Sequence, residues 1–304
     1  MHTIAIIIVH YNTPQDTREC LESLSDLDVN GFKSIIVVVD NGSQELLQLP
    51  KSVTDRNTEV IRSESNLGYT GGNNLGITYA REKYEPDYFL LLNSDTVVDP
   101  QLLSELYKRA TSEKKIGLVS PQIYFAPGYE YHKESYTIAQ RGKVLWYAGG
   151  SIDWTSLSTF HRGVDELDTG QFDSQRESEY ATGCCVLIPR VVFETVGLLD
   201  KRFFLYFEDV DYSLRAKEAG FPLYFESSAI LWHKNAGSSG GAGGNVSEYY
   251  QTRNQFLFAL LHAPFRIKIT ALRVALSTLL HTNKYKQKAA IDFLLQRYGK
   301  QPII

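Results

Sequence analysis

Short apolar runs, rich in β-branched residues, alternate with polar segments along the first hundred residues. The runs span residues 3–9, 34–39, 59–61 and 88–92. Continuous apolar runs of this length are typical of parallel strands that are covered on both faces. Between them, Thr13-Pro14 and Asp99-Pro100 carry helix start signals, in which a capping residue precedes a proline. The pattern predicts right-handed βαβ units in a three-layer α/β/α sandwich with a mainly parallel central sheet.

The pattern is looser in the rest of the chain. Short strand candidates span residues 116–119, 143–148 and 184–188. A helix is predicted over 208–219, and the low-complexity stretch at 235–245, NAGSSGGAGGN, predicts a flexible loop. Residues 246–304 carry leucines at helical spacing, and Pro264 is expected to separate two helices there.

Composition and charge narrow the class of protein. The 304 residues carry a net charge of −4 and a pI of about 6.0, so no global basic field exists to bind nucleic acid. Three cysteines are too few for a disulfide framework, which favours a reducing compartment and hence the cytoplasm. No window approaches the roughly 20 apolar residues that span a bilayer. The apolar N-terminus lacks the basic start of a signal peptide, so we expect a soluble or peripheral protein.

Polar residues follow each of the four predicted strands in the first hundred residues. These segments are HYN at 10–12, DNGS at 40–43, NLGYTGGNN at 66–74 and NSD at 93–95. Taken singly, each is explained by a turn, because Asn, Asp and Gly are ordinary turn residues. Together they lie where ligands of open α/β sheets bind, beyond the carboxyl ends of the strands. Asn93 and Asp95 share one side of their strand, and a carboxylate held there can bind a hard divalent cation that bridges phosphates.

An acidic cluster follows an aromatic run in the second half of the chain. Glu208, Asp209 and Asp211 place three carboxylates within four residues at the start of a predicted helix. Two explanations of this cluster are open. The carboxylates cap the helix and are stabilised by its dipole, or one of them is a general base whose pKa its neighbours tune. Farther along the chain lies His233. An isolated histidine is usually structural or faces solvent, so a role for His233 as a metal ligand requires Asp95 nearby.

In this order, the segments resemble the family 2 glycosyltransferases of the GT-A fold, and among them the rhamnosyltransferases and related bacterial polysaccharide enzymes. Besides the four strand-end segments, the matching motifs are GC at 183–184, FEDVD at 207–211, WH at 232–233 and YYQTRN at 249–254. The match covers nearly the whole chain, and several ordered motifs are more specific than any one of them.

The resemblance implies a role for each matching residue. The residues expected to bind the nucleotide are Tyr11, Asn12, Asp40, Asn66, Gly68, Gly72, Asn73, Asn93, Ser94 and Arg253, with Asp40 on the base. The residues expected to contact the acceptor are Gly183, Cys184 and Asp211. Asp209 matches the catalytic base, with Glu208 beside it. Asp95 of the family's DxD motif, which begins with Asn93 here, would hold Mn²⁺ or Mg²⁺ together with His233.

By this resemblance the chain is expected to be an inverting, metal-dependent glycosyltransferase. It would move one sugar from a nucleoside-diphosphate sugar, dTDP-rhamnose by the subgroup, to a saccharide or lipid-linked acceptor in bacterial surface polysaccharide synthesis. The QxxRW motif of processive synthases is absent, because Asn254 follows Arg253, which favours single addition. The catalytic domain would span 1–234, divided near residue 115 into nucleotide-binding and acceptor halves. The loop at 235–245 and a helical region at 246–304 would follow it.

Other functions stay open at this stage. A sugar-nucleotide nucleotidyltransferase would need a Gly-rich loop with Arg or Lys directly after the first strand, where this chain has YNTP at 11–14. A non-catalytic binding module would keep the fold without turnover, although Asp95, Asp209 and His233 argue against it. Paired carboxylates also serve glycoside hydrolases, which have no use for a nucleotide pocket at the strand ends.

The C-terminal region combines leucines with an excess of basic residues. No Asp or Glu lies between Glu248 and Asp292, whereas the basic residues are Arg253, Arg266, Lys268, Arg273, Lys284, Lys286 and Lys288. We expect the leucines to pack on the catalytic domain. The basic residues in addition predict salt-sensitive binding to anionic membranes, with a contact between two copies of the chain as the alternative.

Overall fold

A computed structural model describes residues 1–54, 57–115, 117–174, 177–235 and 244–303. Its strands are β1 (His2–His10), β2 (Phe32–Asp40), β3 (Thr58–Arg62), β4 (Tyr88–Asn93), β5 (Thr96–Val98), β6 (Leu118–Phe125), β7 (Leu145–Tyr147), β8 (Gly150–Asp153), β9 (Ser158–His161), β10 (Cys185–Pro189) and β11 (Leu223–His233). Its α-helices are α1 (Pro14–Leu24), α2 (Lys51–Thr54), α3 (Gly68–Tyr84), α4 (Leu102–Ser112), α5 (Arg190–Val196), α6 (Glu208–Glu218), α7 (Asn245–His262), α8 (Phe265–Thr278) and α9 (Lys284–Leu294). A single 3-10 turn spans Lys133–Ser135.

A mixed sheet with the strand order β3-β2-β1-β4-β10-β6-β11-β5 forms the centre, and β7 pairs with β6. β3, β2, β1 and β4 are parallel, as are β6 and β11, whereas β10 runs antiparallel between β4 and β6. His10 pairs with Asp40 and Val9 with Asn93, so the carboxyl ends of β1, β2 and β4 meet at one edge. The polar strand ends therefore converge, as parallel pairing requires.

Alternate residues of the central strands fill two cores on opposite faces of the sheet. Ile4, Ile6 and Ile8 of β1 join one core with α1 and α4. Ala5 and Ile7 join the other with α3, α5 and α6. Burial on both faces explains the uninterrupted apolar run of β1. The predicted three-layer α/β/α fold is confirmed.

Several elements differ from the predicted ones. β6 continues to Phe125, beyond the predicted end at residue 119, and all of its residues are buried. Strand β5, the β8–β9 hairpin and the long β11 were not predicted, and a third C-terminal helix, α9, follows α8. Helix α4 begins at Leu102 instead of Pro100, because Asp99 closes a turn by accepting a hydrogen bond from the Gln101 amide (2.8 Å).

Two residues expected to bind the nucleotide, Gly72 and Asn73, lie inside α3 and serve its packing. A Cβ at Gly72 would lie 2.7 Å from Val9 Cγ1, and one at Gly76 would lie 2.5 Å from Ile7 Cγ2. Asn73 is buried and donates to the Tyr69 carbonyl within the helix. These small residues let α3 approach β1 closely, so Gly72 and Asn73 lie in a helix–sheet contact, and their part in nucleotide binding stays a prediction.

The C-terminal helices pack on one another and on the sheet domain. Helix α7 contacts the β8–β9 hairpin, where Trp154 stacks on Phe258 with ring centroids 5.4 Å apart. The expectation that the leucines pack inwards is wrong for α8, whose Leu272 and Leu276 are exposed. The segment at 235–245 falls mostly outside the described residues, so its predicted flexibility stays a prediction.

Two features bear on the cellular setting. Cys20, Cys184 and Cys185 are buried and form no disulfide. The reducing compartment stays a prediction. Within the described ranges, no helix combines the length and the hydropathy needed to cross a membrane.

Alanine at Gly76 tests the packing of α3. In an open helix position this change stabilises by about 1 kcal/mol, whereas overpacking against β1 costs about 1–3 kcal/mol. We expect Gly76→Ala to lower the free energy of unfolding in urea denaturation. It should lower it less in an Ile7→Ala background, where the nearer contacted methyl is gone and only Val39 Cγ2, 2.9 Å from the added Cβ, remains close. An equal change in both backgrounds would contradict this account of the contact.

Candidate active site

A cavity of about 1010 Å³ opens where the strand ends meet. Most residues expected to form the site lie on its wall; these are Tyr11, Asn66, Gly68, Asn93, Ser94, Asp95, Gly183, Cys184, Glu208, Asp209 and His233. They come from segments far apart in the chain. The convergence of parallel strand ends, the start of β10 and the start of α6 brings them together.

The start of α6 meets the segment before β10 at Asp209. The Gly183 amide donates to Asp209 Oδ2 (2.8 Å), and the Val210 amide donates to Asp209 Oδ1 (2.9 Å). Burial raises the pKa of Asp209, although these two hydrogen bonds oppose the shift. A carboxylate held in this way is a stronger base than an exposed one.

Glu208 lies beside Asp209 and is also buried. Its Oε2 has no hydrogen-bond partner among the described residues. Burial and then the negative charge of Asp209 raise the pKa of Glu208. Two adjacent buried carboxyl groups whose pKa values are raised are typical of a functional site and unusual in a core.

Asp211, which was expected to contact the acceptor, does not line the cavity. Its carboxylate is buried, forms an ion pair with Arg215 (2.8 Å) and is hydrogen-bonded to His262 Nε2 (2.8 Å). It therefore ties α6 to the end of α7. The acidic cluster thus divides between the cavity, with Glu208 and Asp209, and a structural ion pair.

Asp95 and His233 meet on another part of the cavity wall. Asp95 Oδ1 lies 3.1 Å from His233 Nε2, and the Lys234 amide donates to the Asp95 carbonyl (3.0 Å). Burial would raise the pKa of Asp95, but the charge and hydrogen bond of His233 lower it. His233 Nδ1 is buried without a partner in the described part of the chain. The sequence analysis required Asp95 near His233 for a metal-binding role, and the two side chains are neighbours.

The β8–β9 hairpin supplies cavity residues that the sequence did not predict. His161 packs edge-on against Trp146, which also contacts His233, with ring centroids 4.2 and 4.5 Å apart. His161 Nδ1 donates to the Trp146 carbonyl (3.0 Å), and burial lowers the pKa of His161 to about 4. A neutral imidazole thus faces the cavity, beside the half-exposed Phe160.

On the side expected to bind the nucleotide, Asn41 lines the cavity, whereas the neighbouring Asp40 does not. Asn41 donates to the Gly68 carbonyl (3.0 Å) and to Asn66 Oδ1 (3.2 Å), and it lines the cavity. Asp40 is 1% exposed and pairs with Arg62 at 2.6 Å, behind the wall. Base recognition by Asp40 stays a prediction.

Asn12 also lies away from the cavity wall. Its side chain accepts a hydrogen bond from the Gln44 amide (2.9 Å), and its amide donates to Ser43 Oγ (3.1 Å). It therefore joins the turns that follow β1 and β2.

The segment between Phe203 and Glu208 is strained and held by α7. Phe204, Tyr206 and Phe207 have φ values of 64°, 69° and 70°, a region that costs about 1–3 kcal/mol for such residues. Asn254 Nδ2 donates to the carbonyls of Phe203 and Leu205 at 2.8 Å each and of Tyr206 at 2.9 Å.

Arg253, which was expected to bind the nucleotide, belongs to the same support. It is fully buried, and its guanidinium donates to the carbonyls of Gly299 (2.6 Å) and of Arg202 and Phe203 (3.1 Å each). It also lies over the rings of Tyr249 and Tyr250. Its role in this structure is to hold the backbone that leads into α6.

Comparisons with known proteins agree with this geometry. The sequence model of glycosyl transferase family 2 matches residues 5–197. A low-salt glycan biosynthesis hexosyltransferase, Agl10 of Haloferax volcanii, is 27% identical over 216 residues, covering 70% of this chain and 61% of that protein. An N-acetylglucosaminyl-diphospho-decaprenol L-rhamnosyltransferase of Mycobacterium tuberculosis is 25% identical over 265 residues, covering 84% and 83%.

A solved structure shares the fold. GalNAc-T7, crystallised with UDP, GalNAc and Mn²⁺, superposes with a TM-score of 0.63 at 16% identity, covering 98% of this chain and 56% of that one. The chain spans less than two thirds of this protein and of the archaeal hexosyltransferase. The GT-A architecture expected from the motifs is confirmed.

Replacing Asn254 with aspartate tests the support of the strained segment. The variant loses the donor that the carbonyls of Phe203, Leu205 and Tyr206 share, and leaving a buried carbonyl unpaired costs about 1–3 kcal/mol. We expect Asn254→Asp to lower the free energy of unfolding by about 3 kcal/mol in urea, whereas the exposed Asn30→Asp stays within about 0.5 kcal/mol of the parent. Equal stability of the two variants would show that α7 does not hold the segment.

Proposed function

Because the chain belongs to glycosyl transferase family 2, we propose that it transfers one sugar, with inversion, from a nucleoside-diphosphate sugar to an acceptor hydroxyl. One observation carries the proposal. Asp209, held by two main-chain amides, and the Asp95–His233 pair lie on the wall of a single cavity at the strand ends. A base for the acceptor and a binding group for the diphosphate are the two parts that this chemistry needs.

In the proposed reaction, Asp209 accepts the proton of the acceptor hydroxyl. The hydroxyl oxygen forms a bond to the anomeric carbon while the bond from that carbon to the diphosphate oxygen breaks. The diphosphate leaves with the electron pair, and attack opposite to it inverts the anomeric centre. The raised pKa of Asp209 supports its role as the proton acceptor.

Asp95 and His233 are the residues that we propose hold a divalent cation. One carboxylate and one imidazole suit Mn²⁺, and Mg²⁺ is commonly held by one or two carboxylates together with substrate phosphates. No group of three or more His, Cys, Asp or Glu side chains in the described ranges could hold a metal alone. The diphosphate would thus complete the site, and the bound ion would neutralise charge on the leaving group.

The substrate classes are part of the proposal. The mycobacterial relative is by its name a rhamnosyltransferase that acts on a diphospho-decaprenol-linked sugar. This name supports rhamnose as the sugar and a lipid-linked saccharide as the acceptor. The dTDP donor and the role in surface polysaccharide synthesis are proposed from the resemblance of the motifs. Phe160, Trp146 and the polar side chains of Gln251 and Gln255 offer apolar and hydrogen-bonding surface for such an acceptor.

The first test replaces the proposed base. We expect Asp209→Asn to lower the rate of transfer by about 10²–10⁴-fold, because the amide cannot accept the proton, while nucleoside-diphosphate binding survives. Asp211→Asn is the matched control in the same helix: it weakens the contacts with Arg215 and His262, so it should lower stability and reduce kcat far less than Asp209→Asn does. Transfer by Asp209→Asn at a near-parental rate would refute the assignment.

The second test concerns the metal. We expect Mn²⁺ to tighten the binding of dTDP or UDP in titration calorimetry, and Asp95→Asn to remove that dependence because it removes the charged ligand. Asp99→Asn, near the end of β5, is the control and should bind like the parent. Nucleotide binding and transfer that persist after exhaustive chelation would exclude a metal at Asp95.

A further inference from the structure

Helix α8 packs on the protein through its small residues. Ala271, Ala275 and Thr278 face α7 and α9 and are at most 9% exposed. Their four- and three-residue spacing places them on one side of the helix. Helices that stabilise a soluble core normally turn their large apolar side chains inwards, whereas in α8 Ile267 packs beside the buried alanines and the other large apolar side chains are exposed.

Apart from Ile267, the large apolar residues of α8 lie on the outside. This exposed row, the α8 stripe, consists of Phe265 (77% exposed), Ile269 (37%), Leu272 (39%), Leu276 (55%) and, just past the helix end, Leu280 (89%). Spacings of four, three, four and four residues align these side chains along one face. Contiguous exposed apolar surface of this kind marks an interaction site in a soluble protein.

The charged residues of α8 itself are all positive. Arg266 and Arg273 are exposed, follow stripe residues by one position, and form no ion pair with any residue that the structure describes. Lys268 lies on the other edge of the stripe. No Asp or Glu occurs between Glu248 and Asp292. By contrast, the basic residues of α9 are partly neutralised, since Lys286 pairs with Glu248 and Lys288 with Asp292.

We propose that the α8 stripe docks on an anionic lipid bilayer, with α8 lying in the plane of the interface. Its 14 residues, about 21 Å long, present apolar side chains to the acyl boundary and arginines to the head groups. This surface goes beyond the proposed transfer reaction and does not depend on it.

Charge complementarity favours the bilayer over a second copy of the chain. A symmetric dimer through the α8 stripe would bring Arg266 and Arg273 of one copy towards the same residues of the other. The sequence from 249 to 291 offers no carboxylate to neutralise them. An anionic leaflet neutralises every one of these cations.

Vesicle flotation with the full chain tests the proposal. We expect the protein to float with vesicles of phosphatidylcholine containing about a third phosphatidylglycerol, and to remain in solution with phosphatidylcholine alone. Raising the salt to about 1 M, where the Debye length falls to about 3 Å, should release most of it.

Two variants separate the apolar and the ionic contributions. Phe265→Ser with Leu276→Ser should weaken binding at least about 10-fold, because two buried apolar side chains are lost. Arg266→Glu with Arg273→Glu should weaken it at least about 25-fold, since each basic residue contributes about 5-fold. The matched controls change exposed residues elsewhere: Leu46→Ser with Ile138→Ser, and Lys114→Glu with Lys217→Glu. They should bind like the parent.

Three results would overturn the proposal. These are equal flotation with both kinds of vesicle, no flotation with either, and controls that lose as much binding as the stripe variants. Sedimentation velocity tests whether a second copy of the chain binds the α8 stripe instead of a bilayer. A parent dimer that dissociates in the Phe265→Ser, Leu276→Ser double variant would assign the stripe to that second copy. Nucleotide binding by the same variants shows whether the cavity is intact, so failure here leaves the proposed transfer function unaffected.

Discussion

The hydrogen bond from the Gly183 amide to Asp209 joins the two halves of the site, and the arrangement around it depends on this contact. Gly183 can occupy this position because it lacks a side chain: a Cβ there would lie 3.1 Å from the Tyr69 hydroxyl and 3.3 Å from Asp209 Cβ. Tyr69 in turn donates to the Gly183 carbonyl, and the Asn93 amide donates to the carbonyl of Cys184 (2.8 Å). The end of β4, the start of β10 and the start of α6 are thereby fixed together.

The C-terminal helices maintain this geometry from outside the sheet. The backbone that enters α6 passes through positive φ values, a conformation that would relax if it were unsupported. Asn254 and Arg253 satisfy its carbonyls, and Asp211 joins α6 to α7 through His262. Residues that look like ligand contacts in the sequence thus work indirectly, by holding the carboxylates of Glu208 and Asp209 at the cavity wall.

The sequence predicts best what depends on local pattern. The first four strands follow from continuous apolar runs. The pairing of Asp95 with His233 is not local, since 138 positions separate the two residues, and it follows from the family motifs instead. Contacts set by packing were not predicted. The sequence of the β8–β9 hairpin has no clear period-two pattern, so the cavity residue His161 was not predicted. Nothing in the local sequence distinguishes Gly72, which packs α3 on β1, from a glycine beside a ligand. The leucine spacing of α8 predicts a helix but not that its leucines face outwards.

The central claim is that Asp209 is the proton acceptor, with a pKa raised by burial, and the pH dependence of transfer tests it most directly. The base works in its ionised form, so the rate falls as pH drops through its pKa in the folded protein. With saturating donor and Mn²⁺, the account predicts an acid limb clearly above pH 4, the ordinary range of an aspartate, while fluorescence shows that the protein stays folded. A rate that stays flat down to about pH 4 would contradict it.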